Sequence, residues 1–328
     1  MGLSRWTVSR VINGHSGVRA ETVARVRQAM EELGYEPNAF ARGLRGGKTG
    51  IVGICFQELD NPILTRKAGL LQAAFRERGY RAMIELTNGD RERETEAIRI
   101  FMGLRVEGIV LLGSSLSDED SQPLAQVPLV WVDPEKKVSG EQISVDRAYS
   151  MKLVLEHLHG LGHRRFAVLG IDPENPYGAF RWPAFLQYAK ELNIYLAKDV
   201  TILYQSGRMD HTYDYGREMA DQLLAESSTM PTAVVALNDR VAIGAINRFR
   251  EAGLRVPDDI SIAGYDNLDI SGHFRPTLTT VDQHESDLMQ MACDALIDRI
   301  EGGKEVTQPR LVRPLLVTRN STGPVPKR

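Results

Sequence analysis

Cysteine is nearly absent: Cys55 and Cys293 are the only two in 328 residues, and both lie in apolar runs. That excludes a disulfide framework and a cysteine-based zinc site, and it points to two buried structural thiols. No apolar run reaches the roughly 18 residues of a membrane span, and no apolar signal-peptide core opens the sequence. A cytosolic protein without a membrane partner is expected. Two enzyme signatures are also missing. GIVGICFQELDNP, the first strand-like run with its following loop, contains no GxGxxG, which argues against a nicotinamide or flavin enzyme, and GxSxG does not occur. GGKT at 46–49 is not a phosphate loop, because Arg42 stands where its first glycine belongs and no strand precedes it. His157, His159 and His163 are spaced two and four apart; residues two apart on a helix face different ways, and Gly162-His163 reads as a helix end. Neither a metal nor a cofactor is expected, and no catalytic constellation is found.

Charge is present but unevenly spread. The chain carries a net −3, yet residues 1–50 hold eight Lys/Arg against four acids, leaving −7 on the remainder. Phosphate contacts need Lys or Arg, and an acidic body is repelled by the same backbone, so only the head is suited to a polyanion. Within it, Ser4 is a good N-cap, Trp6, Val8, Val11 and Ile12 recur at helical spacing, and Asn13-Gly14 stops the run. Arg5, Thr7, Ser9 and Arg10 lie away from the apolar stripe and are the phosphate and base-edge donors that a recognition helix presents to a major groove. A second helix is expected from about Ala20 to Leu33. EPNAFARGLRGGKTG (36–50) reads as a linker with a short helix opened by Pro37-Asn38, unstable alone because of its glycines.

From Gly50 onward, runs of buried-strand length alternate with amphipathic helical segments: GIVGICF, RAMIEL, GIVLLG, PLVWVD, RFAVLG, DVTILY, TAVVAL and ISIAGYD. The expected helices include 62–78, 91–104, 148–161, 215–226 and 239–252. The fold class is α/β, with doubly wound parallel sheets in two subdomains, since eight or more strands exceed one compact mononucleotide sheet. Five of these strands are followed by polar residues: Asp60-Asn61, Ser114-Ser115, Asp133, Asn238-Asp239 and Asp266-Asn267. Ligands of open α/β sheets sit beyond the carboxyl ends of strands, so this ring is where a small molecule is expected, although such residues also cap helices.

SRWTVSRVINGHSGVRAETVARV, then ELGYEPNAFARGL, and later ALNDRVAIGA, ISIAGYDN and PTLTTVDQ occur in one order along essentially the whole chain. In this the sequence resembles the LacI/GalR (lac repressor) family of transcription regulators. The resemblance implies a helix-turn-helix head (1–36), a hinge helix (37–49) and a core (50–322) like the type I periplasmic sugar-binding proteins. It implies subdomains at about 50–145 with 278–306 and about 146–275 with 310–322, crossed near 144–148, 273–278 and 305–310. Members carry about a dozen residues ahead of this point, forming the first helix of the motif; Met1-Gly2-Leu3-Ser4 matches only the turn, so the head is expected to lack that helix.

The DNA-contacting set implied is Ser4, Arg5, Trp6, Thr7, Ser9, Arg10, Asn13, Asn38 and Leu44, the last as the hinge leucine that wedges into the minor groove. The effector-contacting set is Asp60, Asn61, Ile63, Asp133, Arg181, Asn238, Asp266 and Gln283. Tyr177, Phe180, Trp182 and Tyr213 are candidates to stack on a sugar face. The partners implied are a two-fold operator, a second copy of the chain, and a small effector, a sugar before a nucleobase. STGPVPKR has no heptads, so a C-terminal coiled coil is not expected. A sugar-transport binding protein shares such a core, but the basic head opposes that alternative.

Overall fold

The structure, a computed structural model, describes residues 2–12, 17–35, 48–121, 126–174, 176–206, 212–226 and 229–327. Asn13, Asn38 and Leu44 lie outside them. The head consists of α1 (Arg5–Ile12) and α2 (Ala20–Glu32). Ser4 caps α1, its Oγ accepting from Thr7 N at 3.1 Å. The two short helices pack together, and Val26 of α2 is the one fully buried side chain among the described head residues.

The first lobe runs β1 (Ile51–Phe56), α3 (Pro62–Glu77), β2 (Arg81–Leu86), α4 (Arg91–Gly103), β3 (Gly108–Leu112), the single turn α5 (Asp118–Ser121), β4 (Leu129–Val132) and β5 (Gln142–Val145). The second runs α6 (Arg147–Gly160), β6 (Phe166–Leu169), α7 (Pro176–Glu191), α8 (Leu196–Asp199), β7 (Val200–Leu203), α9 (Tyr213–Glu226), β8 (Ala233–Ala236), α10 (Asp239–Glu251), β9 (Ser261–Ala263), α11 (Asp269–His273) and β10 (Thr280–Asp282). The chain then returns through α12 (Glu285–Ile300) and β11 (Arg310–Val312) and ends on β12 (Leu315–Val317).

Each lobe is a parallel sheet with helices on both faces. The first has the order β11-β5-β4-β3-β1-β2 and the second β7-β6-β8-β9, with β10 and β12 forming an antiparallel pair beside the second. Alternation sorts the first lobe's core: Val52, Ile54 and Phe56 pack with Leu71 of α3 and Leu288 of α12, while Ile51 and Cys55 pack with Ile98 and Phe101 of α4. In the second lobe α9 and α10 touch at two glycines. A Cβ on Gly216 would lie 2.1 Å from the Val241 carbonyl oxygen, and one on Gly244 would lie 1.9 Å from that of Tyr213.

Two of the three crossings fall later than the sequence implied. The first lies at Asp146, between β5 and α6, within the expected segment. The second is at Gln283-His284 rather than 273–278, because Thr279–Asp282 stays with the second lobe: Gly264 N and Asp266 N donate to the Thr279 and Val281 carbonyls. The third is at Arg313-Pro314 rather than 305–310, because β11 pairs in parallel with β5 in the first sheet. The first lobe therefore takes residues up to Val312, and the 278–306 and 310–322 bounds shift accordingly.

Candidate effector and DNA sites

The carboxyl ends of the strands of both sheets face one cavity between the lobes, lined by Asn61, Ile63, Leu64, Lys67, Gly113, Asp133, Arg147, Arg181, Leu237, Asn238, Asp266 and Gln283. Strand ends position most of them: Asp133 follows β4, Asn238 follows β8 and Asp266 follows β9. Asp133 (φ +47°) and Asp266 (φ +108°) sit in left-handed backbone conformations, which side chains adopt only where the surroundings enforce them.

Lys67 is the centre of the arrangement. It is 3% exposed, and its Nζ donates to Asp133 Oδ2 at 2.8 Å and to Gln283 Oε1 at 2.7 Å. Gln283 in turn donates through Nε2 to Asp266 Oδ1 at 2.5 Å. This chain of side chains runs from the first lobe, through the second crossing, into the second lobe. Asp133 also accepts from Val145 N at 3.0 Å and pairs with Arg147 at 3.2 Å. Burial alone would raise the Asp133 carboxyl, but Lys67 and Arg147 outweigh it and hold the group at about 2. Asp266 has no such ion pair among the described residues. Burial pushes it up to about 6 against the pull of Arg181 and Lys67.

Arg181, on α7, is 5% exposed; its Nη1 donates to the Leu237 carbonyl at 2.6 Å and its guanidinium lies 3.7 Å from the Tyr265 ring centroid. Asn238 caps α10, its Oδ1 accepting from Val241 N at 2.9 Å. Two further contacts tie the lobes at the rim: Arg240 Nη1 donates to the Asp60 carbonyl at 3.1 Å, and Arg66 pairs with Glu285 while reaching the Asp266 carbonyl. The remaining cavity is about 50 Å³, room for about three or four water centres.

Of the eight expected effector residues, seven line the cavity. Asp60 does not: it is exposed at the rim and contributes its backbone carbonyl to Arg240. Half of the polar ring is structural. Asp239 is fully buried and accepts from Leu268 N, Ser271 Oγ and Thr280 Oγ1; Ser114 and Ser115 hold Glu94; Asn267 bridges Asp282 and Arg319. Three of the four candidate aromatics do not reach the cavity: Phe180 and Tyr213 are surface-exposed and Trp182 stacks on Phe185, so no aromatic side chain among the described residues lines it; the Tyr177 side chain lies outside the described residues. Sequence reasoning missed Lys67 and Arg147. The signal for Lys67 was legible: it interrupts the otherwise apolar stripe Ile63, Leu64, Ala68, Leu71, Phe75 of α3.

His163 is a core residue, its ring nitrogens meeting Thr232 Oγ1 and the Gly323 carbonyl at 3.0 Å each, and His157 bonds Thr322. Among the described residues no three His, Cys, Asp or Glu groups cluster as metal ligands, and no helix is long and apolar enough to cross a membrane. Both cysteines are buried thiols.

On the head, Arg5 and Trp6 are exposed, Trp6 by 68%, and the Arg10 guanidinium lies 4.8 Å from the Trp6 ring centroid. Trp6 thus belongs to the outward face of α1 rather than to its apolar stripe. Thr7, Ser9 and Arg10 are half-buried.

Fold and site together define a small-molecule-binding core of periplasmic-binding-protein type carrying a helical DNA-binding head. Residues 155–322 match the periplasmic binding protein-like domain, and residues 1–38 match the bacterial regulatory proteins of the lacI family. The chain is 30% identical to the transcriptional repressor PurR of Vibrio vulnificus, over 98% of this chain and 95% of that one. It is 27% identical to the ribose operon repressor of Haemophilus influenzae, over 97% and 95%. Among solved structures, the lac repressor dimer bound to operator and the anti-inducer ONPF matches with a TM-score of 0.87 at 28% identity, covering 98% of this chain and 96% of that one. The regulator CelR in complex with cellobiose matches with a TM-score of 0.72 at 27% identity, over the same shares. The chain belongs to the LacI family: it is a DNA-binding transcription regulator under small-molecule control, and its relatives are repressors, not enzymes.

Proposed function

We propose that this protein represses transcription as a homodimer on a two-fold operator, and that a sugar bound between the two lobes of the core sets its operator affinity. The observation that carries the reading is the side-chain chain Asp133–Lys67–Gln283–Asp266, which joins both lobes across the cavity at the carboxyl ends of their strands. A ligand that replaces these bonds with its own changes the angle between lobes, and the crossings at Asp146, Gln283-His284 and Arg313-Pro314 are where the chain flexes. Two features favour a sugar over a nucleobase. The wall offers paired donors and acceptors for hydroxyls, from Asn61, Asn238, Asp133 and Asp266, and among the described residues it offers no aromatic face on which a flat base would stack. The solved relative with cellobiose is consistent with that choice.

On the DNA side, α1 is the recognition helix, Arg5, Trp6 and Arg10 face the groove, and Ser4, Thr7 and Ser9 supply hydroxyls at its start, with Ser4 also serving as the cap. Asn13, Asn38 and Leu44 complete the assignment on residues outside those described. The test is fluorescence anisotropy on two-fold duplexes selected from a random library, with sugars and nucleobases added. A sugar that changes operator affinity in the wild type and does nothing in Asn238→Ala supports the reading; a nucleobase acting in its place shifts the effector class.

A further inference from the structure

Charges around the cavity do not balance. Lys67, Arg147 and Arg181 line it together with Asp133 and Asp266, three cations to two carboxylates among the described residues of its walls. Lys67 and Arg147 both contact Asp133, at 2.8 and 3.2 Å. Arg181, nine-tenths buried and lining the cavity, has no carboxylate within ion-pair distance among the described residues, and its Nε has no hydrogen-bond partner there. Burial, the largest influence, pushes this guanidinium below its ordinary value. A buried charge without a direct partner is costly, and a guanidinium is shaped to receive a two-oxygen anion.

We infer that the effector carries an acidic group: a hydroxylated metabolite of monosaccharide size bearing one carboxylate or phosphate, whose anionic end is held by Lys67, Arg147 and Arg181. The inference rests on the reading of the inter-lobe cavity as the effector site and adds the charge class of what enters it. A neutral sugar filling the same space would bury the cation excess uncompensated. A carboxylate cancels it, a phosphate monoester of about −2 at pH 7.5 more than cancels it, and the oxygens of either supply Arg181 Nε with the acceptor it lacks. The anion also competes with Gln283 for Lys67, so its arrival loosens the one lysine bond that reaches the second crossing. The Asn61 and Asn238 amides remain for the hydroxyls, and the small cavity excludes anything much larger than one ring unless the lobes part.

Calorimetric titration of the full chain at pH 7.5 with matched compounds decides it. The panel holds glucose, gluconate, glucuronate and glucose 6-phosphate, the corresponding galactose set, ribose with ribose 5-phosphate, and hypoxanthine. The expected result is that an acid binds at least tenfold tighter than its neutral counterpart, and that Lys67→Met and Arg181→Met each cut that affinity at least tenfold. Lys67→Gln serves as a second replacement that retains hydrogen bonding to Asp133, with circular dichroism confirming that each variant is folded. The carboxylate and phosphate arms identify which acidic group is recognised. Neutral sugars or hypoxanthine binding as well as the acids, with that binding lost in Asn238→Ala, would overturn the inference and leave the inter-lobe site standing. Acid binding unaffected in every cation variant would also overturn it. Silence across the whole panel would count against the effector reading and this inference together.

Discussion

Asp133 shows at the residue scale why the site is held as it is. Lys67, 3% exposed, forms its ion pair with this carboxylate, so Asp133→Ala leaves a buried ammonium without a carboxylate partner among the described residues and is expected to cost about 3–5 kcal/mol, read as a loss of denaturant midpoint. Asp239 supplies a pH signature. Burial, reinforced by Asp266, raises its carboxyl from an ordinary 3.8 to about 7. The folded state then binds the proton more tightly than the unfolded chain, so this residue makes stability fall as pH rises from about 4 to about 7 and level off above. Asp266, raised to about 6, tilts the same way over a narrower range. His157 and His163 tilt oppositely, because burial lowers them and folding then favours the neutral ring. The informative quantity is therefore the difference between wild type and Asp239→Asn. The variant is expected to gain in melting temperature relative to wild type at pH 8 and to lose that advantage at pH 4.5; parallel curves would remove Asp239 as a proton-linked residue.

Elements were the most legible scale in the sequence, and the reasons for success and failure are physical. Eight strands with β-branched or apolar runs were visible because both faces of a parallel strand are buried, which makes a run of hydrophobicity continuous. Gln142–Val145, Thr280–Asp282 and Arg310–Val312 were not, being three or four residues long and carrying polar or charged side chains; their pairing is decided by partners far away in sequence. That is also why two crossings were misplaced. Helix α7 was hidden by Pro183 in its middle. Seven of the eight expected effector residues line the cavity: Asn61, Asp133, Asn238 and Asp266 were visible in the polar ring at strand ends, where such folds bind ligands, whereas Ile63, Arg181 and Gln283 were named through the family resemblance. The contact of α9 with α10 gives the element-scale prediction. Gly244→Ala places a methyl against the Tyr213 carbonyl and is expected to destabilise the core by about 1–3 kcal/mol or more. Gly160→Ala, in helical conformation with nothing within 4 Å, is expected to stabilise it by about 0.4–1 kcal/mol. Urea melts of both variants check the contrast.

At the scale of the whole molecule, charge divides the labour. A net −7 body and a net +4 head of 50 residues confine contact with the DNA phosphates to the head, so operator binding is expected to weaken steeply with salt and effector binding at the buried inter-lobe cavity far less. Arg10→Ala is expected to weaken operator binding by about 1–3 kcal/mol without altering effector affinity; a shift in effector affinity instead would contradict this separation. The central claim is that occupancy of the cavity between the lobes governs the grip of the head on DNA. Its most direct test is to titrate one labelled operator duplex with the protein, with and without a saturating compound known from calorimetry to bind the core, in wild type and in Arg181→Met. The account predicts at least a tenfold change in operator Kd on adding the compound, absent in the variant. A compound that saturates the cavity and leaves the operator Kd where it was would contradict it.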